Sequence, residues 1–197
     1  MEQHKQHHRR RLREKNIGRA GRMLKDWNRL INTDCKVIKI NDSWIYPIFR
    51  NGSTSLCDVK DRLCINEEIK ECDNIQVLIR DPKVRFVSGV NQYCRLNKVE
   101  VQQTWSEIEQ HQLIDRHFAP QAMWLLHLYK FYKGKVTLRP FSDIGAFTQR
   151  HTQVFPTGKI QVQILDQFVN VDYNLLRLLG RTMDLKDIVE ETTHALS

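Results

Sequence analysis

The sequence predicts an α/β fold, a parallel β-sheet flanked by helices, and three observations carry that reading. Compact apolar runs at residues 44–49 and 74–79 each end in a polar turn. Apolar residues at helical spacing follow each turn, so strand–turn–helix units alternate along the chain, which favours parallel pairing with both faces of the sheet covered. Of the 197 residues, 41% are apolar and 27% charged, enough apolar surface for one sizeable core and too ordinary a charge content for a disordered chain.

The elements follow in order. Residues 1–22 hold eight Lys and Arg against Glu2 and Glu14, a net of +6 out of the chain's +8. They read as a basic arm, either solvated or binding a polyanion, and residues 23–197 read as a single, nearly neutral domain. No apolar segment follows the charges, so the arm is not expected to be a secretory signal. His4, His7 and His8 lie in this arm without supporting Cys or carboxylate residues and read as solvated side chains. Two strands are predicted at 35–40 and 44–49, with Asn41, Asp42 and Ser43 supplying the turn. After residues 50–55, Leu56, Val59, Leu63 and Cys64 recur at helical spacing. Residues 74–79 form the next strand, which Arg80, Asp81 and Pro82 break, and a helix over 84–93 starts near Pro82.

Further helices are predicted at 104–112 and 120–132, the latter with Met123, Trp124, Leu126, Leu128 and Phe131 as its core face. A strand at 135–139 leads into a loop ending near Phe147, and residues 160–165 form a strand or extended segment. Helices at 172–180 and 184–194, separated by Gly180 as a C-cap, close the chain. No apolar run approaches the ~18 residues of a membrane span. Five cysteines, an odd number without a C-x-x-C pair, read as reduced thiols and fit neither a disulfide framework nor a zinc site. Together these features predict a cytoplasmic protein of a bacterial or virus-infected cell and disfavour a Golgi lumen.

A strand delivering a short Gly/Ser/Thr turn into a helix brings unpaired backbone N–H groups and the positive end of the helix dipole to one point. At residues 50–55, Gly52 lets the backbone approach closely, Ser53, Thr54 and Ser55 add donors, and Arg50 supplies a cation. A purely structural turn with a capped helix explains the same residues, and the full Walker spacing is absent. The second turn adds Arg80, with Arg85 and Ser88 three residues apart on one helix face, as a second anion pocket. Ligands of open parallel sheets bind outside the carboxyl ends of the strands, so both pockets are expected on one edge.

These residues also carry a family resemblance. The segment 47–56, Pro-Ile-Phe-Arg-Asn-Gly-Ser-Thr-Ser-Leu, resembles the 5′-phosphosulfate loop of sulfotransferases. The segment 79–89, Ile-Arg-Asp-Pro-Lys-Val-Arg-Phe-Val-Ser-Gly, resembles their 3′-phosphate motif, and the segment 115–121, Asp-Arg-His-Phe-Ala-Pro-Gln, is similar to one in the carbohydrate sulfotransferases of the chondroitin and HNK-1 kind. The resemblance covers roughly residues 44–150. It implies a P-loop-like, three-layer sulfotransferase fold and transfer of a sulfuryl group from 3′-phosphoadenosine 5′-phosphosulfate (PAPS) to a hydroxyl of a carbohydrate-type or other acceptor, with no metal. Carried over, Arg50, Asn51, Gly52, Ser53, Thr54 and Ser55 hold the 5′-phosphosulfate, and Arg80 and Ser88, with Arg85 added, hold the 3′-phosphate. The family commonly has lysine where this chain has Arg50, which keeps the charge at the leaving oxygen but is a poor proton donor.

His117 is the first candidate for the base that takes the acceptor's proton. A buried histidine bonded to a backbone carbonyl is the competing reading. Arg116 is placed to meet an anionic substrate, and Asp115 either orients the imidazole or caps a turn. His111, Asp58 and Glu67 are weaker bases. Two other classes remain: a nucleic-acid-binding or adaptor protein that uses the basic arm, and a nucleotide-binding phosphotransferase, which lacks the Walker lysine and a carboxylate set for Mg²⁺.

Overall fold

The computed structural model describes residues 29–148 apart from 32, 111 and 112, together with Val169. The basic arm, His111, and the elements expected at 160–165, 172–180 and 184–194 lie outside the described residues. The chain builds β1 (Lys36–Ile40), β2 (Ser43–Ile45), α1 (Ser53–Asp58), β3 (Arg62–Ile65), β4 (Asn74–Ile79), α2 (Pro82–Asn97), α3 (Val101–Glu109), α4 (Gln121–Phe131) and β5 (Lys135–Pro140). Short 3₁₀ helices follow β3 (Asn66–Glu71) and β5 (Phe141–Ala146).

The five strands form one sheet in the order β3-β1-β2-β4-β5. Its β2–β4–β5 part is parallel, whereas β1 runs antiparallel to both β2 and β3. The sheet is therefore mixed, and turn length explains it. Ile40 pairs with Ser43 across Asn41 and Asp42, and a two-residue connection joins only antiparallel strands. Asn41 takes the positive φ of 51° that this tight turn needs. β2 stops at Ile45, but Tyr46 N–H still donates to Gln76 O at 2.9 Å. Pro47 has no N–H to continue the ladder.

Side chains alternate across the sheet and fill two cores. Val37, Ile75, Val77 and Ile79 pack with Phe86 and Val90 of α2 and with Leu125 and Leu128 of α4. On the opposite face Ile38, Ile45 and Leu78 pack with Leu56 of α1 and Ile144 of the second 3₁₀ helix. Both faces are thus covered. The helical spacing read across Leu56, Val59, Leu63 and Cys64 does not form one helix: α1 ends at Asp58, and Leu63 and Cys64 belong to β3, paired with β1. Only Leu56 and Cys64 of the four are buried. α4 is wrapped by the core on most sides, with Met123, Trp124 and Leu128 buried as expected and Leu126 and Phe131 partly so. All five cysteines are free, four of them buried, and burial pushes the Cys35 and Cys72 thiols up to about 12.

Candidate functional site

Three loops meet at the carboxyl edge of the parallel strands. The first runs from β2 to α1. It turns at Arg50, with φ 67°, and again at Gly52, with φ 75°. The left-handed region is unfavourable for any residue with a Cβ, so Arg50 is held there by its surroundings. A Cβ on Gly52 would also collide with Ile144. The first amide of α1 with an acceptor in the same turn is that of Leu56, on Gly52 O at 3.0 Å. The amides ahead of it are the open donors of a helix start.

Between the two bends, Asn51 is 1% exposed, and its side chain is committed to the protein interior. Asn51 Nδ2 donates to Leu78 O at 2.7 Å and to Gln121 Oε1 at 2.6 Å. Gln121 Oε1 also accepts Arg80 N–H at 2.9 Å, while Gln121 Nε2 donates to Arg80 O at 2.9 Å. One buried amide on α4 therefore clamps the loop after β2 to the end of β4. Asn51, expected to face a ligand, is a tie between loop and sheet.

The second loop follows β4. Asp81 caps α2 by accepting Val84 N–H at 2.9 Å, and Pro82 occupies the first turn. Arg80 Nη1 donates to Arg50 O at 3.1 Å, with its guanidinium 5.1 Å over the Phe141 ring. Arg50 reaches across to α2, where Nε and Nη2 donate to Ser88 Oγ at 3.1 and 2.6 Å and Nη1 donates to Gln92 Oε1 at 3.3 Å. Arg50 thus joins Ser88 through its side chain and Arg80 through its backbone carbonyl. Burial lowers the pKa of both arginines, and the neighbouring cations add to the effect, Arg95 on Arg50 and Arg50 on Arg80, with Asp81 partly offsetting the latter. Arg85 is placed elsewhere. It is buried and donates to Phe49 O and Ala119 O, so it braces the first loop against the third.

The third loop carries the candidate base. Asp115 Oδ1 accepts His117 N–H at 2.8 Å and lies 2.6 Å from His117 Nδ1. The carboxylate both closes the turn and orients the ring. Burial pushes the Asp115 carboxyl up, but the hydrogen bonds from His117, with the charges of His117 and Arg116, outweigh it and hold the pKa below its ordinary value. Phe49 lies at the centre of this region: the His117 ring meets it edge-on at 5.6 Å, Arg116 covers it at 5.0 Å, and Trp124 packs at 5.2 Å. Gly89 of α2 lies so close to the His117 carbonyl that a Cβ there would overlap it.

A cleft of about 640 Å³ opens beside the first loop, lined by Ser53, Thr54, Phe49, Arg116 and Trp124 and bordered by Lys36 and Lys60. At its floor Tyr46 Oη lies 3.0 Å from His127 Nδ1, and His127 Nε2 lies 3.0 Å from Thr33 O. A carbonyl only accepts, so Nε2 carries the proton and Nδ1 accepts from the Tyr46 hydroxyl in the neutral ring. Burial lowers the His127 pKa and keeps this pair uncharged. The tyrosine–histidine pair, like the Gln121 clamp, joins residues far apart in the chain and left no local signal in the sequence. Of the weaker bases, Asp58 and Glu67 are exposed and Glu67 is paired with Lys70. Among the described residues no group of three or more His, Cys, Asp or Glu could hold a metal ion, and no helix is long and apolar enough to cross a membrane. No protein-family model, curated protein or solved structure significantly matches the chain.

Proposed function

We propose that the protein is a PAPS-dependent sulfotransferase that moves a sulfuryl group to a hydroxyl of a carbohydrate-type acceptor, on a sulfotransferase-like, P-loop-like α/β fold. One observation carries the reading: at the carboxyl edge of the parallel strands the Arg50 guanidinium bonds Ser88 Oγ of α2, and Arg80 Nη1 bonds the Arg50 carbonyl. Ser53 and Thr54, which follow Arg50 in the same loop, line the cleft together with Arg116, whereas Arg50, Arg80 and Ser88 are not part of its lining. In this reading the open amides of the first loop, with Ser53, Thr54 and Ser55, hold the phosphosulfate, and Arg80 and Ser88 take the 3′-phosphate. Arg116 borders the acceptor's place.

PAPS supplies an activated sulfuryl group and a phosphate leaving group. In-line displacement forms the bond from the acceptor oxygen to sulfur and breaks the bond from sulfur to the bridging oxygen, whose growing negative charge the loop donors stabilise. One such donor is worth ~3–4 kcal/mol. His117 Nδ1–H donates a hydrogen bond to the Asp115 carboxylate, which leaves Nε2 as the atom that takes the acceptor's proton. The free thiols support the reducing cytoplasm of a bacterial or virus-infected cell, and the +6 arm supports an additional polyanion contact.

Thermal melting with adenosine 3′,5′-bisphosphate, ATP and a DNA oligonucleotide tests the assignment. The bisphosphate at a hundred times its Kd stabilises the fold by ~2.7 kcal/mol, ATP stabilises it less, and Arg80→Ala removes the preference. A response to DNA alone would transfer the assignment to a nucleic-acid-binding protein.

A further inference from the structure

The family pattern puts the cation of the first loop at the phosphosulfate end of the nucleotide. In this chain the left-handed turn at Arg50 sends the guanidinium the other way, onto the side of α2. The Arg80 guanidinium bonds the backbone carbonyl of Arg50 and lies over the Phe141 ring. Among the described residues neither forms an ion pair, and the adjacent Asp81 spends a carboxylate oxygen on its helix cap. Gln92 Oε1, which receives Arg50 Nη1, also accepts from Arg95 Nη2 at 2.9 Å, bringing a third cation alongside. Partly buried cations near one another raise one another's energy; Asp81 offsets this only in part at Arg80, and a bound anion offsets more of it.

Ser88 supplies the complementary half. Its Oγ is buried and accepts two N–H groups from Arg50. Both lone pairs are thereby used, and among the described residues the hydroxyl proton has no acceptor. A phosphate oxygen is an acceptor that completes this arrangement, and a phosphate dianion complements the charge of the neighbouring guanidinium groups.

We propose that Arg50 joins Arg80 and Ser88 on the 3′-phosphate, and is the residue that selects a 3′,5′-bisphosphate nucleotide over a 5′-monophosphate. The inference rests on the nucleotide-binding reading above and changes the role of Arg50 within it. The phosphosulfate end is then held by the amides and hydroxyls of residues 52–55, with Arg50 serving donor specificity.

Isothermal titration of the full chain with adenosine 3′,5′-bisphosphate, 3′-AMP and 5′-AMP separates the two roles. Arg50→Ala is expected to weaken the bisphosphate and 3′-AMP by about tenfold or more, the loss of hydrogen bonds to a charged group, with 5′-AMP held within about threefold. Arg50→Lys keeps the charge without the fork and is expected to fall between Arg50→Ala and the unaltered chain. Ser88→Ala, which alters neither charge nor backbone, calibrates the selectivity lost with a 3′-phosphate contact, and Arg50→Gln, which removes the charge but keeps a polar side chain, serves in place of Arg50→Ala should that variant not fold. Equal weakening of 5′-AMP and the bisphosphate in Arg50→Ala, with 3′-AMP unchanged, would overturn the proposal and return Arg50 to the phosphosulfate end. Absence of binding by all three nucleotides to the unaltered chain would instead sink the nucleotide reading itself, and this inference with it.

Discussion

Single residues decide whether the loops hold their shape. Gln121 satisfies both backbone groups of Arg80 and one N–H of Asn51. Gln121→Leu has nearly the same volume but leaves those groups buried and unpaired, each costing ~1–3 kcal/mol. The expected outcome is a loss of several kcal/mol in urea unfolding together with weaker nucleotide binding. Gly89→Ala meets the His117 carbonyl rather than a flexible side chain tip; it is expected to lower the melting temperature and to slow turnover by displacing the third loop. Asp115 carries the pH dependence. Its folded pKa lies below the ordinary carboxylate value, so its contribution to stability is fully present above that ordinary value and is lost as pH falls through the depressed one. Asp115→Asn should flatten the acid limb of a stability-against-pH curve. It should also reduce turnover by about a hundredfold, the scale of general-base assistance, with bisphosphate affinity unchanged.

At the scale of elements, the parts written in local pattern were legible. The strand expected at 74–79 is β4, Asn74–Ile79. Pro82 does begin a helix, though α2 runs on to Asn97 because Phe86, Val90 and Cys94 continue its buried face. The misread segment was 56–64, where four apolar residues at helical spacing divide between α1 and β3. What decides it is β1, which pairs with residues 62–65 along one side, a demand that local spacing does not record. The same limit applies to the site. Arg80 and Ser88 stand eight positions apart in one strand–helix unit, whereas Asn51 and Gln121 are seventy apart and meet only through the fold. Arg85 illustrates the cost of reading residue type alone. The motif suggested an anion ligand, but its donors hold the carbonyls of Phe49 and Ala119. Arg85→Met is expected to destabilise the chain in urea unfolding by ~1–3 kcal/mol for each carbonyl left buried and unpaired. Its effect on nucleotide affinity should follow from that loss of loop bracing.

For the whole molecule, charge is divided unevenly. Residues 1–22 carry +6 of the total +8, so polyanion binding and nucleotide binding are expected to separate physically. Heparin or DNA affinity should fall steeply with added salt and vanish on removal of residues 1–22, since it arises from counterion release. The melting shift with adenosine 3′,5′-bisphosphate should survive both changes. Within the folded body, α2 has a metrical consequence. Ser88 touches Arg50, and the very next residue, Gly89, abuts the carbonyl of His117. A single peptide unit therefore gauges the separation between the Arg50 contact and the loop bearing the imidazole, and bending of the sheet or sliding of α4 leaves that gauge unaltered.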